Sequence, residues 1–216
     1  MKYVISLGGS VIVPDKVNIS YIKKFGKVIK KFSRSSKFVI VIGGGSTARK
    51  YMKSLEFFKL DNKTIGLIGI AATKLNANLV RSVMNINTNP NSLKDVKKLL
   101  IKNKIIVTGA LNFLPDTTTD GNCAQIAHYI KADLFINITN VKGLYSKNPS
   151  KYKDAKLINR ITLKDFESKI NKIKYKTGQH YILDQKAAKL IKNHKIKTVI
   201  IGDSIKNLEN LLMGRK

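Results

Sequence analysis

Cysteine is almost missing: Cys123 stands alone in 216 residues. One thiol excludes an intrachain disulfide and a cysteine-built zinc site. The three histidines, His128, His180 and His194, show no ligand spacing. No apolar run approaches the length that a bilayer-spanning helix needs. Met1-Lys2-Tyr3-Val4 leads straight into strand-like sequence rather than a signal peptide, so a cytoplasmic protein with no membrane partner is expected. Acidic residues are also scarce, 13 against 41 basic ones, for a formal charge of +28. The lysines are spread along helices and loops, and Asn and Ile are abundant with them, so compositional bias is the first explanation. Attraction of small polyanions such as nucleotides is the second. Nucleic-acid binding is the least favoured, because aromatics are not interleaved with the lysines. The same scarcity makes single carboxylates informative. Asp120 and Asp184 each sit among apolar or small neighbours, where a carboxylate costs most.

Several catalytic signatures are missing too. There is no Gly-x-x-x-x-Gly-Lys-Ser/Thr, which excludes a P-loop nucleoside triphosphatase, and no Gly-x-Gly-x-x-Gly dinucleotide fingerprint. No Ser/His/Asp arrangement and no internal repeat are visible. What is present starts with Phe38-Val39-Ile40-Val41-Ile42, a run that reads as a strand buried on both faces. Gly43-Gly44-Gly45 follows, then a helix pattern with Ala48, Tyr51, Met52 and Leu55 on one face. Strand, glycine turn and helix start in that order make a seat for an anion, because backbone amides can approach it closely.

Tyr3-Val4-Ile5-Ser6-Leu7 repeats the arrangement, with Gly8-Gly9-Ser10 at its end and Val11-Ile12-Val13 as a short extension. A helix capped by Asn18 or Ser20 buries Ile22, Phe25, Ile29 and Phe32. One long helix runs from Asp61 to about Asn85, with Ile65, Ile68, Ala72, Leu75, Leu79 and Val83 as its stripe. Ser92 caps the next. Ile105-Ile106-Val107-Thr108 and Leu134-Phe135-Ile136-Asn137-Ile138 are further buried strands, and Lys197-Thr198-Val199-Ile200-Ile201 is the fifth. Thr117-Thr118-Thr119 precedes a helix near Asp120, where hydroxyls can cap the helix or meet phosphate oxygens. Thr162-Leu163-Lys164-Asp165 resembles a capping box, and 174–178 reads as a flexible connection. Strands alternating with helices imply an α/β protein: a three-layer αβα sandwich around a mostly parallel sheet. Its ligands gather at the carboxyl ends of the strands, where every glycine turn falls. Two glycine turns on adjacent strand ends suit phosphoryl transfer, in which positioning and charge neutralisation do most of the work.

Taken together these segments resemble the amino acid kinase family, and within it the archaeal-type uridylate kinases. The resemblance rests on Ile5 to Val11, Val41 to Tyr51, Ile68 to Ala77, Thr118-Thr119-Asp120, Thr139-Asn140-Val141 with Gly143 and Tyr145, and Leu183-Asp184 with Ala187-Ala188-Lys189. It implies a single domain over 1–216, with an acceptor lobe to about residue 120 and an ATP lobe beyond it. The implied reaction is transfer from ATP to UMP, giving UDP and ADP, in pyrimidine nucleotide (CTP) biosynthesis, with Mg²⁺ carried on the ATP phosphates and no protein metal site. By resemblance, Gly8, Gly9 and Ser10 approach the transferred phosphoryl group, and Gly45, Arg49, Asn140, Tyr145 and Asn148 serve ATP. Gly43, Gly44, Gly66, Leu114, Pro115, Asp116, Thr117 and Thr118 would serve the acceptor, and Asp184 would sit by the catalytic centre. Asp184 reads equally as a helix cap. Relatives usually carry Asp where this chain has Gly66. The resemblance further implies a homohexamer built from dimers, joined through the helices after the first two strands. A different acceptor such as isopentenyl phosphate, or a non-catalytic nucleotide- or RNA-binding role, stays open at this point.

Overall fold

The computed structural model describes residues 1–112, 118–172 and 183–215. The chain opens with β1 (Lys2–Leu7), a single helical turn α1 (Gly9–Ile12) and α2 (Ile19–Phe32). Next come β2 (Lys37–Ile42), α3 (Gly45–Lys53), α4 (Asn62–Met84), α5 (Leu93–Lys102) and β3 (Ile105–Thr108). The second half holds α6 (Thr119–Tyr129), β4 (Leu134–Thr139), α7 (Leu163–Asn171), α8 (Gln185–Asn193), β5 (Thr198–Gly202) and α9 (Ile205–Leu212). The five strands form one sheet in the order β3-β2-β1-β4-β5, every pair parallel.

Both sheet faces are covered, which is why the strands are apolar throughout. Val4, Val39, Val41 and Phe135 point to one side, against α5, α6, α7 and α8. Ile5, Leu7, Ile40, Ile42 and Ile136 point to the other, against α2, α4 and α9. The register pairs Leu7 with Ile42 and with Ile138, so three strand tips end level.

Local signals in the sequence account for most helix ends. Asn18, Asp61, Ser92, Thr118, Thr162, Asp184 and Ser204 each cap a helix by accepting a backbone amide, as these side chains favour. The 174–178 connection lies outside the described residues. Three expectations change. Val11 and Ile12 belong to a helical turn, not a strand extension, because Val11 N and Val13 N bond back to Gly8 O and Gly9 O. Tyr51 is exposed rather than on the buried face of α3, and Leu75 is exposed on α4. The buried face of α4 is Ala72, Thr73, Asn76, Ala77, Val80 and Met84, since small and polar side chains there pack against the glycine turns and strand tips.

Phe25 is fully buried between α2 and the sheet. Phe25→Ala should lower folding stability by about 3–5 kcal/mol in urea unfolding, the usual cost of emptying such a site. A loss below about 1 kcal/mol would contradict this packing.

Candidate active site

From β1 the chain moves to β2 and β3 on one side, then returns to β4 and β5 on the other. The reversal opens a crevice above β1 and β4, where parallel sheets of this kind seat ligands. Gly8 lies at its floor, and its amide donates to Ile138 O at 2.9 Å.

The two glycine turns touch. A Cβ on Gly9 would lie 2.0 Å from Gly45 N and 2.6 Å from Gly43 C, and one on Gly43 would lie 2.5 Å from Gly9 N. Gly45 has φ +60°, the left-handed region that glycine enters without strain. Gly9, Gly43 and Gly45 are therefore required to be glycine by backbone contact alone. Asn76, buried on α4, fixes the second turn by donating to Gly43 O and Gly44 O, both at 2.9 Å. The amides of Gly9, Ser10, Gly44 and Gly45 make no hydrogen bond among the described residues. They open the first turns of α1 and α3, whose donors have no intrahelical partner. A surface of amides at adjoining strand tips suits phosphate oxygens. Arg49 stands beside it, partly buried, with Nη2 donating to Pro14 O at 3.3 Å. Burial pulls its guanidinium below the ordinary value.

Two carboxylates organise the other wall. Asp184 is buried and its oxygens face two helix starts. Oδ1 accepts from Ala187 N at 2.7 Å and caps α8. Oδ2 accepts from Thr118 N at 2.7 Å, Thr118 Oγ1 at 2.8 Å and Gly121 N at 3.2 Å, and so holds the start of α6. Asp120 lies next to it under the strand tips. Its Oδ1 accepts from Ser6 Oγ at 2.6 Å and Asn137 Nδ2 at 2.9 Å, tying α6 to β1 and β4. Burial, with the Asp184 charge adding to it, pushes the Asp120 carboxyl up to about 7. Asn122 holds the other end of the same loop, accepting from Leu111 N and Asn112 N.

The structure thus brings Gly8, Gly9, Ser10, Gly43, Gly44, Gly45 and Arg49 together. Asn140 follows the tip of β4, and Tyr145 and Asn148 lie in the loop beyond it. That loop packs over the tip of β5, where a Cβ on Gly202 would meet Lys142 Cα at 3.2 Å. Gly66 sits on α4 one turn before Gly69, whose carbonyl borders Gly44. Leu114, Pro115, Asp116 and Thr117 lie outside the described residues. Asn76 and Asp120 are the residues that motif reading passed over as site groups. A polar residue on a buried helix face and a lone carboxylate beside small neighbours were their signals.

Touching glycine turns at the tips of an all-parallel, helix-covered sheet define a phosphate-binding α/β protein without a P-loop. The sequence profile of the amino acid kinase family matches residues 1–202, and the chain belongs to that family. It is 35% identical over 217 residues to the uridylate kinase of Methanococcus aeolicus, covering 98% of this chain and 95% of the relative. It is also 35% identical over 205 residues to the uridylate kinase of Thermococcus kodakarensis, covering 94% and 90%. The crystal structure of the uridylate kinase from Archaeoglobus fulgidus superposes with a TM-score of 0.85 at 34% identity, over 100% of this chain and 97% of that one.

Asp120→Asn keeps the oxygen that accepts from Ser6 and Asn137 and removes the charge. In the wild type the folded-state pKa is raised, so the folded form holds a proton that the unfolded chain loses above about pH 4. Wild-type stability should therefore fall between about pH 4 and 7, by up to a few kcal/mol, and that loss should vanish in Asp120→Asn. Parallel stability–pH curves from chemical unfolding would contradict the assignment.

Proposed function

We propose that this protein is a nucleoside monophosphate kinase that transfers the terminal phosphoryl group of ATP to UMP, giving UDP and ADP. The observation that carries this reading is the direct contact between the glycine turns, which lets two anionic groups meet over one amide-lined surface. An oxygen of the acceptor phosphate attacks the terminal phosphorus of ATP. The bond from that phosphorus to its bridging oxygen breaks, and ADP leaves with the bond electrons. The acceptor phosphate is already ionised near neutral pH, so no strong base is needed. Gly8, Gly9 and Ser10 border the transferred group, Gly45 and Arg49 hold ATP phosphates, and Asn140, Tyr145 and Asn148 border the nucleoside. Gly43, Gly44 and the loop ending at Thr118 face the acceptor. Asp184 acts as a positioning residue, setting the starts of α6 and α8. Amides supply donors for phosphate oxygens, and Mg²⁺ carried by ATP would neutralise charge on those phosphates. The acceptor lobe extends to about residue 120 and the ATP lobe follows, meeting at the crevice over β1 and β4.

A coupled assay offering UMP, CMP, dTMP and isopentenyl phosphate with ATP tests the acceptor. UMP should be turned over fastest, and equal or absent UMP turnover would reject the reading. Gly9→Ala, whose methyl would collide with backbone, should reduce turnover at least about 100-fold, because misplacement by an ångström is enough for that.

We further propose a homo-oligomer assembled through α3 and α4. Phe57 is 94% exposed, and Phe58, Tyr51, Leu67 and Leu75 lie exposed on these helices and the turn between them. Exposed apolar side chains at this density mark contact surfaces. Leu67→Glu with Leu75→Glu should shift sedimentation toward the monomer, and an unchanged mass would exclude this face.

A further inference from the structure

Away from the strand tips, the opposite end of the molecule carries strand starts and helix carboxyl ends. Helix carboxyl ends attract cations through the macrodipole. Two lysines there act in that way: Lys2 Nζ donates to Ile130 O and Lys37 Nζ to Leu100 O. The remaining cations exceed this need. Helices α5, α6 and α8 lie side by side on one sheet face. Lys97 of α5 sits over the Tyr129 ring of α6 at 5.8 Å, and His128 of α6 stacks on His194 after α8, with centroids 3.5 Å apart. All three rings are exposed.

Lys131 and Lys195 close α6 and α8 with φ +51° and +50°. The backbone bonds are the same at both: Ala132 N to Ala127 O, and Ile196 N to Ile191 O. Glycine or asparagine ordinarily takes this left-handed position, because a larger side chain is strained there. α4 closes identically with Asn85. A composition rich in both lysine and asparagine would supply asparagine as readily. Lysine stands instead at both of these ends, beside the exposed rings. Nearby acids are engaged elsewhere: Asp133 accepts from Lys2 N, and Glu167 pairs with Lys192. Neither Lys131 nor Lys195 forms an ion pair among the described residues.

We propose that this strip binds single-stranded nucleic acid. Lys97, Lys131 and Lys195 meet phosphates, and Tyr129 and the His128–His194 pair offer faces on which bases stack. Cations alternating with exposed rings are what such strands require. In sequence these groups are scattered between residues 97 and 195, and three helices bring them into one row.

Fluorescence anisotropy of a labelled mixed-sequence single strand, titrated over a range of salt, tests this. Saturating UMP and a non-hydrolysable ATP analogue keep the strand out of the nucleotide crevice. Binding should weaken steeply with salt. Lys131→Asn with Lys195→Asn relieves backbone strain, so the variant should fold at least as well as the parent. It should bind roughly tenfold more weakly at low salt, with a log–log slope shallower by about 1.4, the value for two phosphate contacts on a single strand. Lys23→Asn with Lys27→Asn, exposed on α2 across the sheet, removes the same charge and should leave affinity unchanged. Equal losses from both pairs, or binding that ignores salt, would overturn the proposal. Turnover of UMP reports on the crevice separately and should be the same in all of these proteins.

Discussion

Between Gly9 and Gly45 there is no room for a side-chain atom: a Cβ on the first would sit 2.0 Å from the amide nitrogen of the second. Two parallel strands end level, and the chain leaving each must turn at once into a helix. Those turns occupy the same space unless both are made of glycine. Their contact sets the distance between two rows of amides, and so the distance between any two anions they hold. The rest of the molecule keeps that spacing. Asn76 braces one turn from α4, and Ile138 O anchors the other from β4.

The carboxylates serve the same end by different means. Asp184 accepts hydrogen bonds from Thr118, Gly121 and Ala187 and joins the starts of α6 and α8. A carboxylate at two helix amino ends is stabilised by both macrodipoles. Asp120 lies beside it and next to the strand tips, where burial above all, and the Asp184 charge in addition, disfavour its ionised form. The upward displacement of Asp120 follows, and a carboxyl that is partly neutral can lie beneath a phosphate site with less repulsion. The Thr118 hydroxyl belongs to this network: it caps α6 through Asp120 N and donates to Asp184. Of the two uses a threonine has before a helix, the structure shows the capping one.

The strands and the glycine turns were legible in the sequence because each rests on local chemistry. A β-branched run buried on both faces has one reading, and three glycines after it have few. The phase of α4 was not legible. Leu75 looks like a core residue and Asn76 a surface one, yet Leu75 is exposed and Asn76 is buried. Periodicity assigns burial by hydrophobicity, while here the buried face holds the groups that brace backbone carbonyls. Tyr51 misleads in the same way: periodicity groups it with Ala48, yet Ala48 is buried and Tyr51 is exposed. Asp120 was noticed for its neighbours, but its partners, Ser6 and Asn137, come from strands 114 residues before it and 17 after. Long-range partners leave no spacing to read.

Amides and a guanidinium recognise phosphate whatever sugar or base it carries. The glycine contact therefore bears on the kind of reaction and is indifferent to the acceptor. Discrimination must come from the periphery, and α4 borders Gly44 through the Gly69 carbonyl and Thr73. From Asn62 to Met84 it contains no acidic residue. Asp61 precedes it, but both of its oxygens are held by Thr64, one by the amide and one by the hydroxyl. Those bonds keep its carboxyl below the ordinary value and leave it a helix cap. A carboxylate reaching sugar hydroxyls from Gly66 is thus neither present nor replaced from Asp61.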